Sequence, residues 1–438
     1  MADLRVDFAG IRSPNPFWLA SGPPTNTYGQ VARAFDAGWG GAVWKTVGEP
    51  IVNVFSRYGS VDLGPTRMMG FNNIELISDR PIADNFREIA EVKKKYPKHA
   101  VVVSLMVESK RESWHDMVKR AEDTGADGLE LNFGCPHGMS ERGMGSAVGQ
   151  VPDYTCEIVS WVKEVARTPV IVKLTPNVTD IGWIARAAVK GGADALSLIN
   201  TVNSIVGVDL DSFAPLPAVR GKSSHGGYCG PAVKPIALHL VSAVAGDPGV
   251  RVPVCGIGGI STWRDAAEFI ALGAGAVQVC TAVMHHGFRI VEDLADGLSN
   301  WMDERGLATI ADFRGRALPN VVKWEDLDLN YHLVAKIDAA KCIACELCYV
   351  ACEDGAHQAI RRLPRAGVNG SGMPPVEIVE AACVGCNLCA HVCPVHGCIT
   401  MQEVPAGAPP VTWREFAAGQ GSLAPRSADF HTAPIAPR

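Results

Sequence analysis

Residues 123–149 read D-T-G-A-D-G-L-E-L-N-F-G-C-P-H-G-M-S-E-R-G-M-G-S-A-V-G. A helical pattern closes on Gly125, a short apolar run follows from Gly128 to Phe133, and a loop opens with Gly134, Gly138, Gly143, Gly145 and Gly149. Glycine after the last helical turn is the usual left-handed stop. A near-continuous apolar run of this length reads as a parallel strand buried on both faces. Asn132 and Cys135 stand where strand becomes loop, and the glycines let that loop move or approach a ligand closely. An amide and a thiol in that place suit binding and proton transfer to a small polar ring. The plainer alternative is a structural loop whose cysteine is a small buried hydrophobe.

The same helix-glycine-strand theme recurs at 36–43 (D-A-G-W-G-G-A-V), 190–197 (K-G-G-A-D-A-L-S) and 271–278 (A-L-G-A-G-A-V-Q). Around it lie eight candidate strands: Phe17–Ala20, Gly41–Lys45, Ala100–Met106, Gly128–Phe133, Pro169–Leu174, Asp194–Ile199, Val252–Cys255 and Ala276–Cys280. Helical patterns fall between them, at Tyr28–Ala37, Ile82–Tyr96, Ser113–Thr124, Thr155–Ala166, Ile181–Gly191, Val233–Val244 and Trp263–Leu272. Eight strands with crossover helices over roughly 300 residues point to an α/β fold, a (β/α)8 TIM barrel. An open doubly wound sheet is the runner-up; it is disfavoured because no G-x-G-x-x-G turn follows the first strand. Leu4 to Phe8 reads as a hairpin strand plugging the barrel bottom.

Polar residues gather at the C-terminal ends of these strands, where barrel enzymes keep their sites. They are Ser21, Lys45 and Thr46, Asn132 and Cys135, Lys173 and Thr175, Asn200 and Thr201, Gly258 and Gly259, and Thr281. A single strand-end lysine is usually a solvated charge, but two lysines, two asparagines and a thiol on one face are hard to assign to stability. Residues 255–262, C-G-I-G-G-I-S-T, look like a phosphate cradle: glycines expose N–H groups, and Ser261 or Thr262 can cap a helix whose N-terminus favours an anion. A tight turn is the bland reading of the glycine pair.

Eight of the fourteen cysteines lie between Cys342 and Cys393. Cys342, Cys345, Cys348 and Cys352 form one C-x2-C-x2-C-x3-C run; Cys383, Cys386, Cys389 and Cys393, followed by Pro394, form the second. This is the bacterial two-cluster ferredoxin spacing, in which the fourth Cys of each run ligates the other cluster. Cys342, Cys345, Cys348 and Cys393 are thus expected to hold one 4Fe–4S cluster, and Cys383, Cys386, Cys389 and Cys352 the other. Zinc is the alternative, but it typically takes two Cys pairs per ion. The expected small α+β two-cluster ferredoxin-like domain spans 336–403, after a barrel at 1–317 and a linker at 318–335. Residues 404–438 are Pro/Ala-rich and read as an extended tail, and 364–375 as a surface loop.

The scattered placement of the remaining cysteines argues against a secreted disulfide scaffold and for a reducing compartment. A net charge of -6 gives no reason to expect nucleic acid or an anionic membrane as partner, and no apolar run reaches the roughly 20 residues of a membrane span. A cytoplasmic location is expected. Clusters carry single electrons, so a barrel with a phosphate cradle beside them wants a phosphate-bearing redox cofactor. FMN fits best, because a flavin takes electrons singly and passes them on as hydride. With no dinucleotide fingerprint, electrons are expected from another subunit.

These residues also carry a family resemblance. The chain resembles the pyrimidine-binding half of the dihydropyrimidine dehydrogenases, most closely the bacterial NAD-dependent type's FMN/iron–sulfur subunit, and is more distantly similar to dihydroorotate dehydrogenases. The carriers are N-N-I-E-L-I-S (72–78), L-N-F-G-C-P-H-G-M-S-E-R-G-M-G (131–145), K-L-T-P-N-V-T-D-I (173–181), N-T-V-N-S (200–204), G-G-Y-C-G (226–230) and both cysteine runs. The resemblance implies reduction of uracil or thymine to the 5,6-dihydro base, with hydride reaching C6 from reduced FMN and Cys135 protonating C5. A thiol of ordinary pKa, about 8.5, is protonated near neutral pH and can serve as that acid. Asn73, Glu75, Asn132, Asn200 and Thr201 would bind the pyrimidine. Ala20, Ser21, Lys45, Thr46, Asn132, Lys173, Gly230, Ile257, Gly258, Gly259, Cys280 and Thr281 would form the FMN site, and Met139 to Gly145 a lid. The family further implies a partner subunit with FAD and NAD(P)H, in a heterotetramer. Gly134 stands where the family commonly has Ser or a different small residue, and Asn203 where Ser is expected. Two other readings stay open: dihydroorotate oxidation, for which Arg142 is the spare cation in the lid, and an FMN/iron–sulfur electron-transfer subunit.

Overall fold

The computed structural model describes residues 2–49, 51–63, 66–136, 143–363 and 375–424. The chain forms two compact units, Met1–Val321 and Val322–Arg438.

In the first unit eight parallel strands close into a barrel: β1 (Phe17–Leu19), β2 (Gly41–Gly48), β3 (Ala100–Met106), β4 (Gly128–Asn132), β5 (Val170–Lys173), β6 (Ala195–Leu198), β7 (Val254–Ile257) and β8 (Ala274–Val279). Closure comes from β8 pairing with β1, Gln278 opposite Trp18. The open-sheet alternative is therefore excluded. The crossover helices are α1 (Tyr28–Ala37), α2 (Ile82–Lys95), α3 (Arg111–Glu122), α4 (Pro152–Lys163), α5 (Ile181–Lys190), α6 (Lys234–Ala245), α7 (Trp263–Ala271) and α8 (Ile290–Glu304). β7 extends two residues past the expected end, because Gly256 and Ile257 still pair with Val277 and Gln278.

Strand alternation sorts the side chains. Leu129, Leu131, Val170, Val172, Leu196 and Leu198 face outward into the core shared with the helices. Inside, the bottom of the barrel is plugged: Phe8 and Ile11, from the hairpin Val6–Phe8/Ile11–Ser13, pack with Trp18, Val43, Val102, Ile171, Ala195 and Ala276. Two residues further along the same strands the interior turns polar, with Ser104, Glu130, Lys173, Ser197 and Gln278 all buried. That polar layer is the floor of the site.

On β2 the register against β3 shifts between Trp44 and Val47. Such an irregularity re-aims side chains. Lys45 and Thr46 consequently both reach polar partners inside the barrel, while Trp44 turns to α2 and donates to Asn85 Oδ1 at 2.9 Å. A four-stranded antiparallel sheet, ordered Val202–Ser204, Gly226–Cys229, Thr66–Asn73, Tyr58–Leu63, carries Asn73 at a strand end.

In the second unit Leu333–Ile337 pairs with Ile399–Glu403, and Ile360–Arg362 with Val376–Ile378. Two boundaries depart from expectation. The linker 318–335 is structured at both ends: Leu318 packs against Gly273 of the barrel, and Leu333 already belongs to a strand. Residues 404–424 are not an extended tail. Asn330 donates to the carbonyls of Pro409 and Ser422 and accepts from Ala424 N, Leu329 N donates to Val411 O, and Val411 is buried. A short helix, Trp413–Ala417, starts with a Thr412/Glu415 capping box. Residues 425–438 of the expected tail lie outside the described residues, as do 364–374 of the expected loop. Among the described residues no helix is long and apolar enough to cross a membrane.

Candidate active site and cluster cavities

A cavity of about 1100 Å³, open to solvent, occupies the C-terminal mouth of the barrel. Its walls bring together Ala20, Ser21, Lys45, Thr46, Asn73, Glu75, Asn132, Cys135, Lys173, Asn200, Thr201, Gly230, Ile257, Gly258, Gly259, Cys280 and Thr281; Thr175, expected on the same face, is buried outside it and accepts from Asn177 N.

At one end, side chains from five strands form a hydrogen-bonded chain. Asn132 Nδ2 donates to Thr46 Oγ1 at 2.9 Å, which also meets Ser104 Oγ at 2.9 Å and Ser21 Oγ at 3.1 Å. Asn132 Oδ1 accepts from Asn200 Nδ2 at 3.0 Å and from Gly134 N at 3.2 Å; Asn200 Oδ1 accepts from Thr201 N at 2.8 Å. Asn73 Oδ1 accepts from Glu75 N at 2.5 Å. With their oxygens so engaged, what these amides first offer a ligand is N–H, the complement of ring carbonyl oxygens.

Gly134 is required by this packing. A Cβ there would lie 2.5 Å from Asn200 Cβ and 2.7 Å from its Nδ2. Cys135 follows, buried with Ile77, Met106 and Met144. Its carbonyl accepts from Ser146 N at 3.0 Å, so the returning loop pins the cysteine's backbone. Of the expected lid, Met139–Arg142 lie outside the described residues, and Arg142 with them. Asn203 is exposed, and its N–H donates to Asn177 Oδ1 at 2.9 Å; the cavity is lined at Asn200 and Thr201 instead.

Both lysines carry acidic partners. Lys45 Nζ lies 2.5 Å from Glu75 Oε1, which also takes Arg57 at 2.6 Å, while Glu75 Oε2 accepts from Tyr58 OH at 2.8 Å. Burial, and then the Glu75 charge, push the Tyr58 hydroxyl pKa up, so it stays a donor. Lys173 Nζ lies 3.5 Å from Glu130 Oε1. Sequence reading missed Glu130, Gln278, Arg57 and Tyr58. The signal for the first two was available: a polar residue inside an apolar strand, close to its C-terminal end, that faces the barrel interior.

At the far end Gly230, Gly258 and Gly259 have φ of +101°, +124° and +76°. A Cβ on Gly258 would meet Ala237 Cβ at 2.8 Å, and one on Gly259 would meet Gly230 O at 3.0 Å. Only glycine permits this turn, which leaves a concave stretch of backbone against the cavity. The α7 N-terminus differs from expectation. Asp265 accepts from Ser261 N at 3.0 Å and Thr262 N at 2.8 Å, so the helix end already has its anion. The glycines and Thr281 line the cavity beside it. Burial pushes the Cys280 thiol up to about 12, leaving it protonated against the cavity.

Burial alone would raise the Asp265 carboxyl, but the Lys234 ammonium at 2.6 Å and the two N–H groups outweigh it and hold it below its ordinary value. A depressed folded pKa stabilises the fold above the unfolded value and loses that contribution as pH falls through the folded one. Asp265→Asn is expected to cost about 1–2 kcal/mol near neutral pH. Its thermal melt should converge with that of the unsubstituted chain in acid; a gap that widens in acid contradicts the assignment.

In the second unit the thiols rim two small cavities. One is lined by Cys342, Cys345, Cys348 and Cys393, with Cys398 beside them; the other by Cys352, Cys383, Cys386 and Cys389. Each cavity takes three thiols from one run and one from the other. Backbone N–H groups point at the sulfurs, Ala344 to Cys342 at 3.4 Å, Ala359 to Cys352 at 3.3 Å and Ala335 to Cys383 at 3.5 Å. Donors of this kind tune cluster thiolates. Among the described residues no three His, Cys, Asp or Glu side chains converge as the ligands of a single ion do.

The dihydroorotate dehydrogenase family profile matches residues 3–302, and that of the 4Fe-4S dicluster domain matches 335–401. The NAD-dependent dihydropyrimidine dehydrogenase subunit PreA of Escherichia coli (strain K12) is 42% identical over 404 residues, 92% of this chain and 96% of that protein. The chain belongs to the dihydropyrimidine dehydrogenase family. The chloroplastic dihydropyrimidine dehydrogenase (NADP(+)) of Arabidopsis thaliana is 42% identical over 74% of this chain and 79% of its own. The catalytic subunit of dihydroorotate dehydrogenase B (NAD(+)) from Pyrococcus abyssi is 39% identical over 72% of this chain and 99% of its own. In fold, dihydroorotate dehydrogenase from Eimeria tenella superposes with a TM-score of 0.59 at 20% identity, covering 72% of this chain and 88% of that one. The protein is an oxidoreductase of this family, with a 4Fe–4S dicluster domain after its barrel.

Proposed function

We propose that this chain is the pyrimidine-reducing subunit of a cytoplasmic, NAD(P)H-dependent dihydropyrimidine dehydrogenase, converting uracil or thymine to the 5,6-dihydro base. The observation that carries the reading is the single cavity that joins Cys135 and the amides of Asn73, Asn132 and Asn200 to a glycine phosphate cradle. The cavity residues fit FMN. Ala20, Ser21, Thr46, Asn132, Ile257 and Cys280 line the ring position with Lys45 and Lys173, and Gly230, Gly258, Gly259 and Thr281 the phosphate. When bound, FMN takes up single electrons and supplies hydride to C6 of the base.

The chain's own residues do the rest. Asn73, Asn132 and Asn200 orient the ring through its carbonyl oxygens, with Thr201 and Glu75 beside them. Cys135 Sγ gives its proton to C5. Ile77, Met106 and Met144 form an apolar wall behind that thiol. Cys342, Cys345, Cys348 and Cys393 hold one 4Fe–4S cluster and Cys383, Cys386, Cys389 and Cys352 the other. A partner subunit with FAD and the NAD(P)H site supplies the electrons, and the working assembly is a heterotetramer.

An anaerobic titration tests the reading. Dihydrouracil should bleach the oxidised flavin of the isolated chain and dihydroorotate should not; the reverse result, or bleaching by neither, sinks it. Gly134→Ala offers a second check. Its new methyl displaces Asn200 and breaks the 3.0 Å bond to Asn132. Overpacking of this kind costs about 1–3 kcal/mol, so KM for uracil should rise by roughly five- to a hundredfold. Steady-state kinetics that show a lowered kcat with KM unmoved contradict the role given to Asn200.

A further inference from the structure

Glu130 is fully buried in the polar floor of the barrel, one layer beneath Asn132 on the same strand. Ser197 Oγ and Gln278 Nε2 each donate to its Oε2 at 2.9 Å. Its Oε1 makes no hydrogen bond among the described residues and faces Lys173 Nζ at 3.5 Å. That separation is too long for a hydrogen bond, so the pair is coulombic and the ammonium keeps its N–H donors for the cavity. Lys45 differs: Glu75 touches it at 2.5 Å and cancels more of its charge. Lys173 is thus the cation whose charge reaches the cavity more fully, and Glu130 stands directly behind it.

We infer that Glu130 is a positioning residue that sets how much positive charge Lys173 presents to the flavin, and so how readily the flavin is reduced. This rests on the FMN reading above. A carboxylate sealed from water acts over several ångströms because little solvent screens it. It opposes the pull of Lys173 on the electron-rich reduced ring, keeping the flavin a willing donor to the pyrimidine. Ser197 and Gln278 share out its charge and fix its distance from the lysine.

The test is the reduction potential of FMN bound to the full chain with its clusters loaded, equilibrated against reference dyes. Glu130→Gln keeps shape and removes the charge. It should move the equilibrium toward reduced flavin at least tenfold, about 30 mV for a two-electron couple. Glu130→Asp keeps the charge and should shift it less. Should Glu130→Gln not fold, Ser197→Ala decides: it takes one donor from the carboxylate, leaves its charge less shared, and should lower the potential. A potential unmoved or moved the opposite way in these variants, with flavin bound, overturns the inference alone. An unsubstituted chain that takes up no flavin overturns the FMN reading and this inference together.

Discussion

Cys135→Ala is expected to lower uracil turnover by roughly 10²–10⁴-fold, the usual contribution of a positioned general acid. Flavin content should stay at the level of the unsubstituted chain, because the thiol sits at the amide end of the cavity, away from the glycine cradle. The fold should survive as well. The cysteine's backbone is fixed by Ser146 N, and Ile77, Met106 and Met144 surround a side chain that loses one atom. Binding and chemistry separate in a titration: uracil should perturb the oxidised-flavin spectrum of the variant at the same concentrations as in the intact chain, while turnover is lost. Undiminished turnover in Cys135→Ala would return the chain to the class of electron-transfer subunits.

The second large effect concerns Cys393. It lies in the second cysteine run, yet lines the cavity of Cys342, Cys345 and Cys348. Cys393→Ser, made together with Cys398→Ala to remove a neighbouring thiol able to stand in, should lose about half the iron and all NAD(P)H-driven uracil reduction. Bleaching of FMN by dihydrouracil should persist, since that half-reaction needs only the barrel. The remaining cluster should give the low-temperature magnetic spectrum of a Cys342→Ser chain. A spectrum matching Cys383→Ser instead would mean that the ligand sets are not crossed.

Much of this was legible in the sequence. Barrel strands show as apolar runs because they are buried on both faces, and the glycines that end the helices mark where each strand begins. The cysteine runs are legible because cluster ligation fixes spacing. The four-stranded sheet is not, since its strands come from 58–73 and 202–229 and pair only in the folded chain. Asn73 and Glu75 were reached through family resemblance rather than pattern. The register shift at Trp44 to Val47 was hidden too, because a bulge depends on the partner strand. At α7 the sequence showed a Ser261 or Thr262 cap beside a glycine cradle, and geometry decided that Asp265 takes the helix end. The docking of residues 404–424 had one visible clue, T-W-R-E at 412–415, outweighed by the surrounding prolines and alanines.

The exchange of one thiol between the two cysteine runs bears on how the protein is made. The barrel has its last strand by Val279, long before either run is translated. Four thiols exist once Cys352 is in place, but they do not complete a cavity, because the first still lacks Cys393 and the second has only Cys352. Neither set of four thiols is therefore complete until the second run is made. A chain cut anywhere between residues 352 and 383 keeps a whole barrel and no complete cluster site. A chain that ends before Cys389 has a finished barrel and no finished set of four thiols, and one that ends between Cys389 and Cys393 has only the second set.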